Sequence, residues 1–208
     1  MPQAYIVSAV RTPVGRRGGG LSQVHPADLS GHAMKAALER AGVEPAVVDD
    51  VIWGCVDQLG AQSTNIARTG WLAAGLPETV PGTTIDRQCG SSQQAVHFAA
   101  QAVMSGVQDI VVAGGVEVMS LVPISSPAII GERQGLGAPY DGEGWNARYA
   151  GEEVSQFRGA EMAAERWAIS RAAMEAWALR SLQRALNAHA AGPSYDQHVP
   201  FGEVSSGA

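Results

Sequence analysis

The sequence predicts an α/β fold: a βαβαβαβ layer built on a mostly parallel sheet, followed by a mainly helical, Gly/Pro-rich insertion. Three observations predict it. Over the first 120 residues, short apolar β-branched runs alternate with segments of helical period, an order that sets strands side by side with helices on the sheet faces. Hydrophobic residues make up 46% of the 208 and charged residues 16%, so the chain can bury a core of that kind. After Ser120 the composition turns to Gly and Pro before a long helical stretch. The expected division is therefore 1–120 for the α/β domain and 121–208 for the insertion.

Residues 4–10 (AYIVSAV) form a β-branched run that ends at Arg11-Thr12-Pro13 and reads as the first strand. A helix is expected over 26–41, with Leu29, Ala33, Ala36, Ala37 and Leu38 on one stripe, Pro26 in the first turn and Gly42 at the stop. Residues 49–56 (DDVIWGCV) read as the second strand and 65–74 as a shorter helix closed by Gly75. An extended piece follows at 83–85. Residues 91–105 read as a long helix with Ala95, Val96, Ala99, Ala102 and Val103 inward. The apolar run 109–113 (DIVVA) is the last strand, with Gly114-Gly115 after it. Residues 123–150 are too long and too rich in Gly and Pro for a plain connector, and read as a functional or interface loop or as the opening of an insertion. The stretch 159–191 is helical, with Ser170 as an N-cap, a stripe of Met174, Ala178, Leu182, Ala185 and Leu186, and a stop at Gly192-Pro193.

Charge and composition exclude several classes. Net charge is −6 and Lys35 is the sole lysine, so no basic face exists to track nucleic acid. No run of apolar residues is long enough to span a membrane. The start of the chain reads as a strand and not as an export signal, which points to the cytoplasm. Two cysteines, Cys55 and Cys89, cannot form a disulfide framework.

Cys89 stands where an extended segment meets a long helix, in Ile85-Asp86-Arg87-Gln88-Cys89-Gly90-Ser91-Ser92. The positive end of the helix dipole and the free N–H groups there favour thiolate over thiol, and could stabilise an oxyanion on a thioester carbonyl. The bland alternative is a small buried hydrophobe, the usual fate of an intracellular cysteine; inside an apolar strand, Cys55 fits that alternative. The five histidines show no i, i+4 pair and no accompanying ligands at metal-binding intervals. His97 lies two helical turns beyond Cys89, about 12 Å along the axis, too far for a direct hydrogen bond. Gly114-Gly115 has neither dinucleotide-binding nor Walker spacing, so close backbone packing is the simpler account. Asp49-Asp50 and Glu152-Glu153 read as solvated charge.

Taken together, these residues resemble the thiolase family, acyl-CoA acyltransferases that cleave or form a 3-oxoacyl-CoA. The resemblance is carried by VSAVRTPVG at 7–15, QSTNIAR at 62–68, QCGSSQQA at 88–95 and AGGVEVMS at 113–120. Residues 160–171 and Val199-Pro200-Phe201 resemble parts of the family's inserted loop domain. The resemblance implies a thiolase-like fold, with Cys89 taking up the acyl group as a thioester and passing it to coenzyme A or another acyl-CoA. It implies Gln156 and Phe157 as substrate contacts, in a stretch similar to the degradative, broad-chain branch and so to fatty acid β-oxidation. No metal and no resident cofactor are expected, coenzyme A thioesters being substrates.

A thiolase has two similar halves, and this chain matches the first, up to the loop domain. The family's closing strand, Asn-Glu-Ala-Phe segment, Gly-His-Pro histidine and second Cys-x-Gly cysteine have no counterpart here. The expected partners are therefore acyl-CoA and coenzyme A together with a second copy of the chain or a complementary C-terminal half. The isolated chain is expected to be inactive, and a non-catalytic thiolase-like binding or assembly module is the alternative.

Overall fold

The structure, a computed structural model, describes residues 3–149, 151–190 and 197–204. Three parallel strands, β1 (Asp50–Gly54), β2 (Gly82–Ile85) and β3 (Val111–Gly115), form one sheet in the order β2-β1-β3. Val51 faces Gly82 across one ladder, and Gly54 faces Gly115 across the other. The helices are α1 (Pro26–Ala41), α2 (Ile66–Ala73), α3 (Ser91–Ser105), α4 (Ser126–Arg133), α5 (Glu143–Tyr149), α6 (Gln156–Arg166) and α7 (Arg171–Ala190).

Side chains of β1 alternate between two apolar layers, as the pleat requires. Val51, Trp53 and Cys55 join Met34 and Leu38 of α1 and Ile66 and Trp71 of α2 on one face. Ile52 packs with Ala95 and Ala99 of α3 on the other. On the first face the indole N–H of Trp53 donates to the buried Ser30 hydroxyl (3.1 Å). Helices α1 and α2 meet through small residues: a Cβ on Gly31 would lie 2.7 Å from the Gly70 carbonyl oxygen. The face that α1 buries is accordingly Pro26, Ala27, Ser30, Gly31, Met34 and Leu38; of the expected stripe Leu38 is buried and Ala33 packs against the core, while Leu29, Ala36 and Ala37 are half-buried.

Several local signals act as their chemistry dictates. Gly42 and Gly106 close α1 and α3 in left-handed conformations. The Asn65 side chain accepts from Arg68 N–H and donates to the Gly82 carbonyl (2.6 Å), capping α2 and tying it to β2. Arg68 reaches the carbonyls of Val80 and Glu78. The 62–68 motif is thus the bolt between this helix and the sheet.

The expected first strand is not one. Residues 4–10 are extended, but their chain touches a ladder only beyond the run, where Arg11 N–H donates to the Gln197 carbonyl (2.7 Å) and the Arg11 carbonyl accepts from Val199 N–H (2.8 Å). Tyr5, Ile6 and Val7 are all more than 70% exposed. A cavity of about 1530 Å³ separates this segment from β3, lined by Ile6 and Val7 on one side and Val96, Val103 and Val112 on the other. β-branched composition supplies a strand only where a free edge lies within hydrogen-bonding reach, and here none does. Val96, expected inward, is correspondingly half exposed.

Residues up to Leu136, with the 197–204 segment, form one compact unit; Gly137–Asp196 forms another. Residues 121–136 thus pack with the α/β layer, although their composition had already changed. The 123–150 stretch is also less irregular than expected, holding α4 and α5. In the second unit Trp145 stacks between Tyr140 and Tyr149 (centroids 4.6 and 4.7 Å), and Ser170 caps α7 through Ala173 N–H. The α7 stripe of Met174, Leu182 and Leu186 stands exposed. The Gly192-Pro193 stop lies outside the described residues.

Candidate active site

Cys89 sits on the turn between β2 and α3, in the first unit, with its side chain exposed. The turn is tight and strained. Gln88 adopts φ +48°, a left-handed conformation that non-glycine residues enter only at a cost. Asp86 accepts from Gln88 N–H (2.7 Å), Gly90 N–H donates to the Arg87 carbonyl (3.0 Å) and Ser91 N–H to the Gln88 carbonyl (3.0 Å). The hydroxyl of Ser91, only 4% exposed, accepts from Arg87 N–H (2.8 Å) and donates to the Gln88 carbonyl (2.6 Å). Arg87 also reaches forward to the Gln94 side-chain oxygen (2.7 Å), one turn into α3. Gly90 at the N-cap offers no side chain to the helix's first N–H groups.

Two strand-end glycines let this turn approach the sheet. A Cβ on Gly54 would lie 2.5 Å from the Ser92 backbone nitrogen, and one on Gly115 would lie 2.1 Å from the Ser92 hydroxyl oxygen. Gly114 makes room for the Trp53 ring, 2.5 Å from where its Cβ would be. Close packing, the reading preferred over a phosphate cradle, accounts for the glycine pair.

Beside the turn lies a polar network that sequence reasoning did not single out. Gln62, fully buried, accepts from Val118 N–H (2.7 Å) and donates to the Asp57 carbonyl (2.9 Å) and to Glu117 (2.5 Å). Glu117 also accepts from Val56 N–H (2.9 Å), and Asp57 from Ser125 N–H (3.2 Å). The network pins the segment after β1 to the segment after β3. Its signal was present in the sequence: Gln62 opens the 62–68 motif and Glu117 sits inside 113–120. Burial, reinforced by Glu117, raises the Asp57 carboxyl above the usual range, and Ser125 N–H partly opposes that. Burial pushes the Cys55 thiol up to about 12, with Glu117, Asp57 and Asp86 adding to it. Cys55 is therefore an inert neutral thiol in the core, as its apolar strand suggested.

Gln156 and Phe157 open α6 in the second unit, with Ser155 capping the helix and Phe157 86% exposed. Among the described residues no hydrogen bond reaches the Cys89 side chain, and no three His, Cys, Asp or Glu side chains stand where they could hold a metal ion.

The thiolase N-terminal domain family matches residues 4–206. The chain belongs to the thiolase family. It is 52% identical, over its whole length, to a steroid 3-ketoacyl-CoA thiolase, FadA6, of Mycobacterium tuberculosis, and covers 51% of that protein. It is 42% identical to a 3-ketoacyl-CoA thiolase of Erwinia tasmaniensis, over 92% of this chain and 47% of the relative. The crystal structure of the Bacillus anthracis acetyl-CoA acetyltransferase superposes with a TM-score of 0.73 at 36% identity, over 96% of this chain and 50% of that one. The chain spans about half the length of the curated relatives it matches. In this thiolase chain the helix start that carries Cys89, the paired glycines and the Gln62–Glu117 network all fall within the matched residues.

Proposed function

We propose that this chain supplies the acyl-accepting part of a thiolase-type acyltransferase acting on 3-oxoacyl-CoA, by thiolysis or in the direction of acetoacetyl-CoA formation. The observation that carries the reading is the exposed Cys89 on a strained turn at the start of α3, within the residues that match the thiolase N-terminal domain. In the assigned step the Cys89 thiolate forms a new C–S bond at a carbonyl. At the thioester carbonyl of an acyl-CoA the bond to coenzyme A breaks and coenzyme A leaves as its thiolate. At the 3-oxo carbonyl of a 3-oxoacyl-CoA the C2–C3 bond breaks and the departing acetyl-CoA carbanion takes up a proton. Gln156 and Phe157 are assigned to substrate contact, residues 1–120 to the catalytic layer and residues 121–208 to the loop domain. Coenzyme A thioesters are the substrates, with no resident cofactor or metal. The remaining acid/base groups come from a complementary C-terminal half, and the chain self-associates. A place in cytoplasmic fatty acid β-oxidation is the reading that the stretch around Gln156 and Phe157 favours.

The reading is tested by incubating the purified chain with acetoacetyl-CoA, alone and with the C-terminal half of a relative, and weighing the intact protein. An adduct on the Cys89 peptide that is absent from Cys89→Ala supports it: acetoacetyl where coenzyme A is exchanged, acetyl where the carbon–carbon bond is cleaved. No adduct under either condition overturns it in favour of a non-catalytic binding or assembly module.

A further inference from the structure

We infer that Ser91 is the positioning residue that clamps the nucleophile turn, holding Gln88 left-handed and thereby fixing Cys89 at the start of α3; the inference rests on the acyltransferase reading. Among the described residues the hydroxyl of Ser91 is the one side-chain group that bonds both residues preceding the cysteine: it accepts from Arg87 N–H and donates to the Gln88 carbonyl. Ser91 is 4% exposed, and removing its hydroxyl takes one partner from Arg87 N–H and leaves the Gln88 carbonyl to the Ser91 N–H. Gln88 at φ +48° relaxes to an ordinary conformation unless something holds it, and relaxation at 88 swings the next residue, Cys89. Ser91 itself is held, because a Cβ at the neighbouring strand end, Gly54, would lie 2.9 Å from the Ser91 Cβ. The sheet therefore sets Ser91, Ser91 sets the turn, and the turn sets the sulfur. The side chain of Ser91 does not itself meet the acyl group in this arrangement.

The test compares the unsubstituted chain, Ser91→Ala and the double variant Ser91→Ala/Gln88→Gly, following alkylation of Cys89 by iodoacetamide and its acylation by acetoacetyl-CoA. Ser91→Ala slows both reactions at least fivefold. Glycine takes φ +48° without steric cost, so the double variant recovers at least half of the lost rate although the hydroxyl is still missing. A merely structural serine would lower the thermal midpoint without that recovery. Should Ser91→Ala fail to fold, the double variant is compared directly with the unsubstituted chain, and a rate within threefold supports the clamp. Alkylation at the unsubstituted rate in Ser91→Ala, or no recovery in the double variant, overturns it. If alkylation behaves as stated while the unsubstituted chain never takes an acyl group, the clamp stands and the acyltransferase reading fails. If acylation proceeds but Ser91→Ala leaves both rates unchanged, the reverse holds.

Discussion

Gly115 and Ser92 are in such close apposition that a Cβ on the glycine would sit 2.1 Å from the serine hydroxyl oxygen and 2.7 Å from the Gly54 carbonyl. The ends of β1 and β3 and the first turn of α3 therefore share one volume, and the turn carrying Cys89 rests on it. Gly115→Ala has to move backbone as well as the serine. We expect a loss of about 1–3 kcal/mol, the usual cost of overpacking, with slower acylation of Cys89. Urea unfolding of the variant checks this, and unchanged stability would show that the contact yields.

The two cysteines should differ sharply toward iodoacetamide. With Cys55 held at about 12, roughly one molecule in ten thousand carries its thiolate at pH 8. Cys89 is exposed, so peptide mapping after brief labelling should find the adduct there and Cys55 unmodified. Glu117→Gln removes one of the charges that raise Cys55 and should bring its labelling to lower pH. Equal labelling of both cysteines in folded protein would contradict this ordering.

Asp49 gives the fold a pH dependence of known sign. Its carboxylate accepts from Ile110 N–H (2.9 Å) and Asp109 N–H (2.7 Å), the two residues that lead into β3, and those bonds hold it below the usual value of 3.8. A depressed carboxyl contributes stability that is present above the unfolded value and lost as pH falls through the folded one. The chain should therefore lose stability below about pH 4, and Asp49→Asn should be destabilised at pH 7 but converge with the parent in acid. Denaturant titrations at a series of pH values test this; parallel curves down to pH 2 would remove Asp49 from the account.

Exposed Tyr5, Ile6 and Val7, facing a cavity beside β3, leave apolar surface and a sheet edge open among the described residues. Such surfaces associate. Light scattering should report a dimer or larger species, and a dilute, well-behaved monomer would mean that these residues find cover within the chain.

Much of this architecture was legible because the decisive signals are local. Pro26 and Gly42 bound α1 and Ser170 caps α7, each by its own backbone chemistry. What was missed depends on partners. Residues 4–10 have the composition of a strand, but composition does not say whether an edge lies within reach. The buried face of α1 escaped the hydrophobic pattern because Ser30 and Gly31 are buried for their small size against Gly70. The Ser91 clamp was invisible because its bonds go to backbone groups, which every sequence has. Cys89 could be found from its position alone, but its strained turn could not, since nothing in the letter Gln88 announces φ +48°.

Competence for turnover follows from counting the groups that the reaction requires. Acyl transfer to a cysteine needs a thiolate, donors for the oxyanion and a base, and carbon–carbon cleavage adds a further proton transfer. Cys89 can offer the sulfur, and the start of α3 part of the second. Among the described residues no hydrogen bond reaches the Cys89 side chain, and His97, two turns along α3, lies about 12 Å away along the helix. Each missing group costs a factor of about 10² to 10⁴. A single slow acylation survives that loss, since thioester exchange needs little beyond a thiolate; repeated turnover does not. The isolated 208-residue chain, given acetoacetyl-CoA and coenzyme A, should therefore show no thiolysis above Cys89→Ala. Adding the C-terminal half of a relative should restore it. Robust turnover by the chain alone would require a base among its five histidines and would overturn the assignment of the remaining groups to that half.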